Sequence, residues 1–222
     1  MNQYAVIVAG GQGLRMQSDL PKQFISIAGK PVLMHTLQAF HAYQRDLPVI
    51  LVLPEQEHAR WTQLCKQYSF DLPHEVVTGG SCRPFSVRNG VRYINDADSL
   101  VAIHDGVRPL VSADLISRSF SMAEKYGSAI ASVPLKDSIR EMTPSGSQSR
   151  DRTQYRLMQT PQTFHTSLLL DAYRTIEVLE DFSDEASLVE AAGAKVQLIA
   201  GDYQNIKVTT PEDLKIAEAF LQ

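Results

Sequence analysis

The sequence predicts an α/β fold, a single domain over residues 1–222 in which helices cover both faces of a mostly parallel, twisted sheet. Short apolar runs alternate with segments whose apolar residues recur at helical spacing, which is the pattern of such a sheet. Hydrophobic residues make up 44% of the chain and charged residues 21%, so one large core is possible. A glycine-rich segment directly follows the first apolar run, at the place where parallel sheets commonly bind ligands.

The first 133 residues follow this alternation closely. Each expected strand is a short apolar run, often rich in β-branched residues, and each expected helix has an apolar face. The strands are expected at residues 4–8, 48–53, 75–77, 100–104 and 128–133. The helices between them are expected at residues 32–43, 55–68, 86–94 and 113–126. Right-handed crossovers then bring the carboxyl ends of these strands to one rim of the sheet.

Residues 136–159 break the pattern, because they combine short alternating runs with a PSGS turn and have no apolar helical face. This predicts a protruding β-arm that lies over the domain or reaches a second subunit, with a mobile surface loop as the alternative. The remaining elements are expected to be a helix at 167–179, an acidic segment at 181–187 that starts another helix, strands at 195–199 and 205–208, and a final helix from Pro211 with Thr210 as its N-cap.

Composition excludes several classes of function. The net charge of -4 and the pI near 5.9 argue against a broad basic face for nucleic acid. No apolar stretch is long enough to span a bilayer, and the amino terminus lacks a basic leader, so we expect no membrane partner and a cytoplasmic location. Cys65 and Cys82 have no metal-ligand spacing and are expected to be free thiols.

The segment AGGQGLRM, Ala9 to Met16, is the strongest candidate for a phosphate site. Its glycines, Gly10, Gly11 and Gly13, can expose backbone N–H groups to an anion, while Arg15 and Lys22 add positive charge. These features predict a cradle for a triphosphate, with an ordinary strand-to-helix turn as the alternative. Met16 stands where a dinucleotide fingerprint needs glycine, and no acid lies about twenty residues further on, which argues against a dinucleotide-dependent oxidoreductase.

Two more polar segments follow strands at the same rim. Asp105 can contact a ribose hydroxyl or a hydrated Mg²⁺ beside phosphates, or it can organise its own turn. Gly79 and Gly80 allow the backbone to approach a planar base. Ser86 can contact a ligand, cap a helix, or do both. His104 is expected to be structural, since no histidine has metal-ligand spacing.

A lysine lies within the expected strand 205–208. Lys207 can project from this strand to the rim as an anion contact. The alternative is an exposed edge lysine that protects against aggregation.

Seven segments, in order along nearly the whole chain, resemble the 2-C-methyl-D-erythritol 4-phosphate cytidylyltransferase family of the non-mevalonate isoprenoid pathway. They are AGGQGLRM, LPKQF, GGxxRxxSV, HDGVRP, TPQTF, SDEAS and NIKVTTPEDL. The resemblance implies a nucleotidyltransferase fold, CTP as co-substrate, Mg²⁺ as cofactor, a polyol phosphate as acceptor, and a homodimer whose arms, residues 136–159, reach the partner subunit.

The resemblance also implies roles for single residues. Arg15 and Lys22 match the cations that stabilise the transition state at the α-phosphate. Lys207 and Arg152 match those that orient the acceptor, Arg152 arriving from the neighbouring arm. Positions matched to the nucleotide are Ala9, Gly10, Gly11, Gly13, Gly79, Gly80, Arg83, Ser86, Asp105 and Gly106, of which Asp105 also lies near the metal. Positions matched to the acceptor pocket are Arg108, Ser138, Arg152, Thr160 and Lys207.

The resemblance extends to two kinds of cytidylyltransferase that differ in their acceptor substrate. The first loop reads VAGG where many members have PAAG, Ser138 replaces a common threonine, and ribitol-5-phosphate cytidylyltransferases share several of these segments. SDEAS, and Arg152 eight residues before Thr160, favour methylerythritol phosphate. The alternatives are therefore a ribitol-5-phosphate enzyme or, from another class, a noncatalytic nucleotide-binding regulator.

Overall fold

A computed structural model of the protein describes residues 1–11 and 20–221. In chain order, its strands are β1 (Gln3–Val8), β2 (Ser26–Ile27), β3 (Lys30–Pro31), β4 (Val49–Leu53), β5 (Glu75–Thr78), β6 (Leu100–Asp105), β7 (Ser128–Pro134), β8 (Ile139–Thr143), β9 (Gly146–Arg150), β10 (Arg156–His165) and β11 (Leu198–Ala200). Its α-helices are α1 (Val32–Tyr43), α2 (His58–Gln67), α3 (Arg83–Arg92), α4 (Ala113–Tyr126), α5 (Thr166–Thr175), α6 (Glu185–Ala191) and α7 (Pro211–Leu221).

Seven strands form one sheet in the order β11-β7-β10-β6-β1-β4-β5. All neighbours pair in parallel except β10, which runs antiparallel to both β6 and β7. Strands β4 and β6 are buried along their whole length, as expected for strands covered on both faces. The predicted α/β class is confirmed.

Helices cover both faces of this sheet. One apolar cluster places α1, α2 and α4 on one side, with Phe40, Trp61 and Phe120 among its fully buried side chains. A second cluster places α3, α5 and α6 on the other side, around Val87 and Leu169. Within the described residues, no helix is both long enough and apolar enough to cross a membrane.

Strand β10 is the main element that the sequence pattern does not predict. The predicted arm includes the first residues of β10, 156–159, but residues 156–158 pair with β7, from Arg156↔Pro134 to Met158↔Ser132. The hairpin within the arm is confirmed, since β8 and β9 pair from Ile139↔Arg150 to Thr143↔Gly146. The centre of β10 is polar and buried, so it lacks the apolar run by which the other strands were recognised.

Two local expectations were wrong. Residues 205–208 form no strand, because their backbone groups bond elsewhere: the Val208 amide donates to the Val107 carbonyl at 2.9 Å, and the Ile206 amide to Gln204 at 2.7 Å. Ser86 is not an N-cap, since helix α3 begins three residues earlier at Arg83.

Gly90 sets the distance between α3 and the sheet. A Cβ at this position would lie 2.6 Å from Val6 Cγ1 and 2.8 Å from Val52 Cγ2, both in the middle of strands. We expect Gly90→Ala to destabilise the protein by about 1–2 kcal/mol, because overpacking outweighs the better helix propensity of alanine. Chemical denaturation measures this change, with Arg92→Ala on the exposed face of α3 as a control within about 0.5 kcal/mol. A Gly90→Ala protein as stable as the parent would contradict the packing argument.

Candidate active site

A cleft opens at the carboxyl ends of β1, β5 and β6, where the sequence predicted that polar loops converge. The described residues enclose a cavity volume of about 190 Å³ in it, which is small beside the roughly 300–1,000 Å³ of typical small-molecule sites. The sequence-predicted residues that line it are Ala9, Gly10, Gly11, Lys22, Gly79, Gly80, Arg83, Ser86, Asp105 and Lys207. Gly13 and Arg15 lie outside the described residues.

Asp105 is the electrostatic centre of the cleft. It ends β6 with 7% of its surface exposed, and three cationic side chains of the described residues surround its carboxylate. Lys207 Nζ lies 3.1 Å and Arg108 Nε 3.2 Å from Oδ2, while Arg83 Nε lies 3.5 Å from Oδ1. Burial alone would raise the pKa of Asp105, but Lys207, Arg83 and Arg108 together hold that pKa below its ordinary value. The carboxylate is therefore ionised and keeps three long cations in one place.

A buried hydrogen-bond chain supports Asp105 from behind. The Asp105 amide donates to Thr160 Oγ1 at 3.1 Å, and Thr160 Oγ1 lies 3.1 Å from His104 Nδ1. His104 Nε2 lies 3.2 Å from the Arg108 carbonyl, which can only accept, so Nε2 carries the proton and Nδ1 accepts from Thr160. Burial lowers the pKa of His104 to about 3, consistent with a neutral ring. The structural role expected for His104 is confirmed.

The loop after β5 brings backbone close to the cleft. A Cβ at Gly80 would lie 2.3 Å from Phe85 Cβ, so the turn into α3 admits glycine alone. The Gly80 amide donates to Ser86 Oγ at 3.0 Å, and Ser86 Oγ donates to the Cys82 carbonyl at 3.0 Å. Ser86 thus fixes the loop from inside the helix.

Lys22 lies in a short 3₁₀ helix, Lys22–Phe24, that follows the glycine-rich segment. Its side chain is 9% exposed and lines the cleft beside Gly11, where an added Cβ would be 3.7 Å from Lys22 Cε. The next residue holds the preceding loop, because Gln23 Nε2 donates to the Ala9 carbonyl at 2.8 Å. Gly106 stands behind the cleft, with its amide on the Val8 carbonyl at 2.9 Å.

The residues predicted to contact the acceptor fall into two groups. Arg108 and Thr160 are buried near Asp105, and with Lys207 they line a smaller cavity on its other side. Ser138 and Arg152 lie exposed on the arm and line neither cavity. The structure of one chain therefore brings the first group together and leaves the second outside.

The sequence does not predict the parts played in the site by Glu185, Asn205 and Gln162. Arg83 donates through Nη1 and Nη2 to Glu185 at 2.8 and 3.0 Å. Asn205 is fully buried, donates to the Thr160 carbonyl at 2.7 Å, and offers its own carbonyl to Arg108 Nη1 at 2.8 Å. Gln162 bonds to the start of α6. SDEAS, TPQTF and NIKVTTPEDL contain Glu185, Gln162 and Asn205, but nothing in the sequence indicates the partners of these residues.

Metal binding can be tested against the donor set of the cleft. The described residues contain no group of three or more His, Cys, Asp or Glu side chains that could hold a metal ion. Asp105 is the single carboxylate among the described residues that line the cleft. One carboxylate fits Mg²⁺ in the form it commonly takes beside nucleotides, where phosphate oxygens and water complete the shell.

The comparisons with known proteins agree on one family. The family model described as 2-C-methyl-D-erythritol 4-phosphate cytidylyltransferase matches residues 3–222. An enzyme of that name from Bacteroides thetaiotaomicron is 48% identical over 221 residues, covering 100% of both chains. One from Bacillus licheniformis is 41% identical over 224 residues, covering 100% of this chain and 96% of its own. The crystal structure of the Thermus thermophilus enzyme is similar with a TM-score of 0.80 at 31% identity, covering 99% and 98% of the two chains.

The chain behind Asp105 yields a prediction about stability. Thr160→Val keeps the shape of the side chain but leaves both the Asp105 amide and His104 Nδ1 without their partner. We expect a loss of about 1–3 kcal/mol, the usual cost of buried polar groups left unsatisfied. Thr160→Ser, which retains the hydroxyl, serves as the control in the same thermal or chemical denaturation. Equal losses in the two variants would show that the hydroxyl does not matter.

Proposed function

This chain belongs to the 2-C-methyl-D-erythritol 4-phosphate cytidylyltransferase family, and we propose that CTP binds in the cleft at the carboxyl ends of β1, β5 and β6. The reaction converts CTP and 2-C-methyl-D-erythritol 4-phosphate into 4-diphosphocytidyl-2-C-methyl-D-erythritol and pyrophosphate. Relatives of high identity carry this name over their full length, so ribitol 5-phosphate as acceptor is not favoured.

The cation cluster around Asp105 is the observation that carries the proposal. Both reactants are phosphate anions and repel each other, so the enzyme must neutralise them before they can react. Lys207 is the cation of the cluster with the most exposed side chain, at 39%, and it lines both the large cleft and the smaller cavity. Lys207 is therefore placed to meet an anion that arrives from either side.

The nucleotide end of the cleft follows from its backbone. The Gly79–Gly80 turn and the Ser86 hydroxyl form a narrow wall, where amide and carbonyl groups can read the edge of a cytosine. Arg83 and Asp105 line the same cleft, and we assign them to the ribose and the phosphates that follow the base. The triphosphate would then lie along Gly10, Gly11 and Lys22.

In the transfer itself, an oxygen of the acceptor phosphate forms a bond to the α-phosphorus of CTP while the bond to pyrophosphate breaks on the opposite side. No covalent enzyme intermediate is needed, so the side chains act through position and charge. Lys22 and Arg15 stabilise the crowded α-phosphate, and Lys207 with Arg152 orients the attacking phosphate. Arg108 and Thr160 shape the floor of the acceptor cavity.

Mg²⁺ is the proposed cofactor, and Asp105 would hold it together with phosphate oxygens and water. When bound, the ion would neutralise triphosphate charge and favour departure of pyrophosphate. Within the chain, Asp105 also keeps Lys207 at the junction of the two cavities.

A homodimer completes the proposal. The β8–β9 hairpin forms a two-stranded sheet of its own, and most of its residues are exposed, including Met142 at 79%. In a symmetric dimer, the arm, residues 136–159, would carry Ser138 and Arg152 into the acceptor cavity of the other subunit. A cytoplasmic location, without nucleic-acid or membrane partners, belongs to the same proposal.

Removal of Lys22 tests the catalytic assignment. With Mg²⁺, CTP and methylerythritol phosphate, we expect Lys22→Ala to lower kcat roughly a hundredfold or more, the scale for loss of one preorganised charge donor. We expect the same of Arg15→Ala, while Lys66→Ala on the exposed face of α2 keeps normal turnover. Pyrophosphate release is the measurement, with ribitol 5-phosphate offered in parallel. Normal rates in the Lys22 variant would refute its role, and no release from the parent protein with either acceptor would favour the noncatalytic regulator.

Heterodimers test whether Arg152 acts across subunits. A dimer of one Lys22→Ala chain and one Arg152→Ala chain has one complete site if Arg152 serves the partner, and none if it serves its own subunit. We expect such heterodimers, isolated through two different affinity tags, to recover about half of the parent activity. Both variant homodimers should be nearly inactive. A heterodimer as inactive as its parents would place Arg152 in its own subunit.

A further inference from the structure

The SDEAS segment has no part in the mechanism above, although it lies against the active site. Its glutamate, Glu185, is the first residue of α6 and is 1% exposed. Both of its carboxylate oxygens accept from Arg83, at 2.8 and 3.0 Å, in the two-pronged geometry that fits an arginine to a carboxylate. Arg83 in turn lines both the large cleft and the smaller cavity. A buried anion thus holds a cation that faces the substrates.

The position of Glu185 is fixed by β10. Gln162 Oε1 accepts from the amides of Glu185 and Ala186 at 3.1 and 3.0 Å, and Gln162 Nε2 donates to Asp184 Oδ2 at 2.9 Å. Asp184 also caps the helix by accepting from the Ser187 amide at 3.0 Å. The start of α6 is therefore tied to a buried residue of the central sheet, and Glu185 has little freedom to follow Arg83 if Arg83 moves.

Glu185 also decides how Arg83 meets Asp105. Both terminal nitrogens of Arg83 are taken by Glu185, so only Nε faces Asp105, at a long 3.5 Å. Without Glu185, the free guanidinium fork would match the Asp105 carboxylate and could close on it. Such a pair would move the Arg83 guanidinium toward Asp105 and away from the position in which Glu185 holds it.

We propose that Glu185 is a positioning residue for the nucleotide, which acts by holding the Arg83 guanidinium at the wall of the CTP cleft. This inference rests on the proposed function of that cleft. Glu185 touches no substrate in this arrangement, so its whole influence on CTP passes through Arg83.

Glu185→Gln removes the charge and one of the two acceptor positions while nearly keeping the volume. We expect the Kd for CTP, measured by calorimetry, to rise about tenfold or more, the size expected for loss of a charge-assisted hydrogen bond. The KM for CTP should rise in parallel, and kcat at saturating CTP should fall less. Glu190→Gln, on the exposed side of the same helix, is the matched control and should bind CTP as the parent does. An unchanged Kd and KM with a lower Tm would reduce Glu185 to a structural residue and overturn the proposal.

The double variant isolates the path through Arg83. It also avoids the buried Glu185 charge that Arg83→Gln alone would leave without its partner. If Glu185 acts only through Arg83, Arg83→Gln and Arg83→Gln/Glu185→Gln should bind CTP equally, within about twofold. Losses that multiply in the double variant would overturn the proposal. The parent protein separates this from the proposed function: failure of the parent to bind CTP would remove the assignment of the cleft itself.

Discussion

The arrangement of the site depends on the ionised carboxylate of Asp105. Arg83 lies in α3, Arg108 directly after β6 and Lys207 before α7, and their mutual repulsion would drive them apart in the absence of a shared anion. Burial disfavours that charge, yet the three cations more than offset the effect. The carboxylate is also anchored at its own backbone, because the Asp105 amide bonds to Thr160. Asp105 thereby connects the end of β6 with β10 and with the segment before α7.

Strand β10 is the element that joins the two halves of this arrangement. It lies between β6 and β7 and runs antiparallel to both, so it inserts a strand with a polar, buried centre into an otherwise parallel sheet. Thr160 on this strand supports Asp105, while Gln162 supports the helix that carries Glu185. The cleft proposed for CTP and the cavity proposed for the acceptor therefore share one structural support.

The sequence predicted the part of the site that depends on strand ends. Apolar runs marked β1, β5 and β6, and the rule that parallel strands end at one rim placed Gly10, Gly80 and Asp105 together. Strand β10 is not predicted, because its buried centre is polar and shows no apolar run or alternation. Residues 205–208 are the opposite case. Ile206 and Val208 pack in a small apolar cluster and so resemble a strand in sequence, but their backbone pairs with no strand. The Arg83–Glu185 pair spans 102 positions, and no local pattern encodes such a distance.

The cation cluster also has a long-range consequence. The five ion-paired groups at Asp105 and Glu185 sum to one formal positive charge, whereas the whole chain carries -4. They are the two carboxylates and the cations Arg83, Arg108 and Lys207. A polyanion approaching from solution first meets a weakly repulsive surface and feels attraction only within about 8 Å of the rim, the screening length at physiological ionic strength. The local charge at this centre is therefore opposite in sign to the net charge of the chain, and its attraction for an anion is short-ranged.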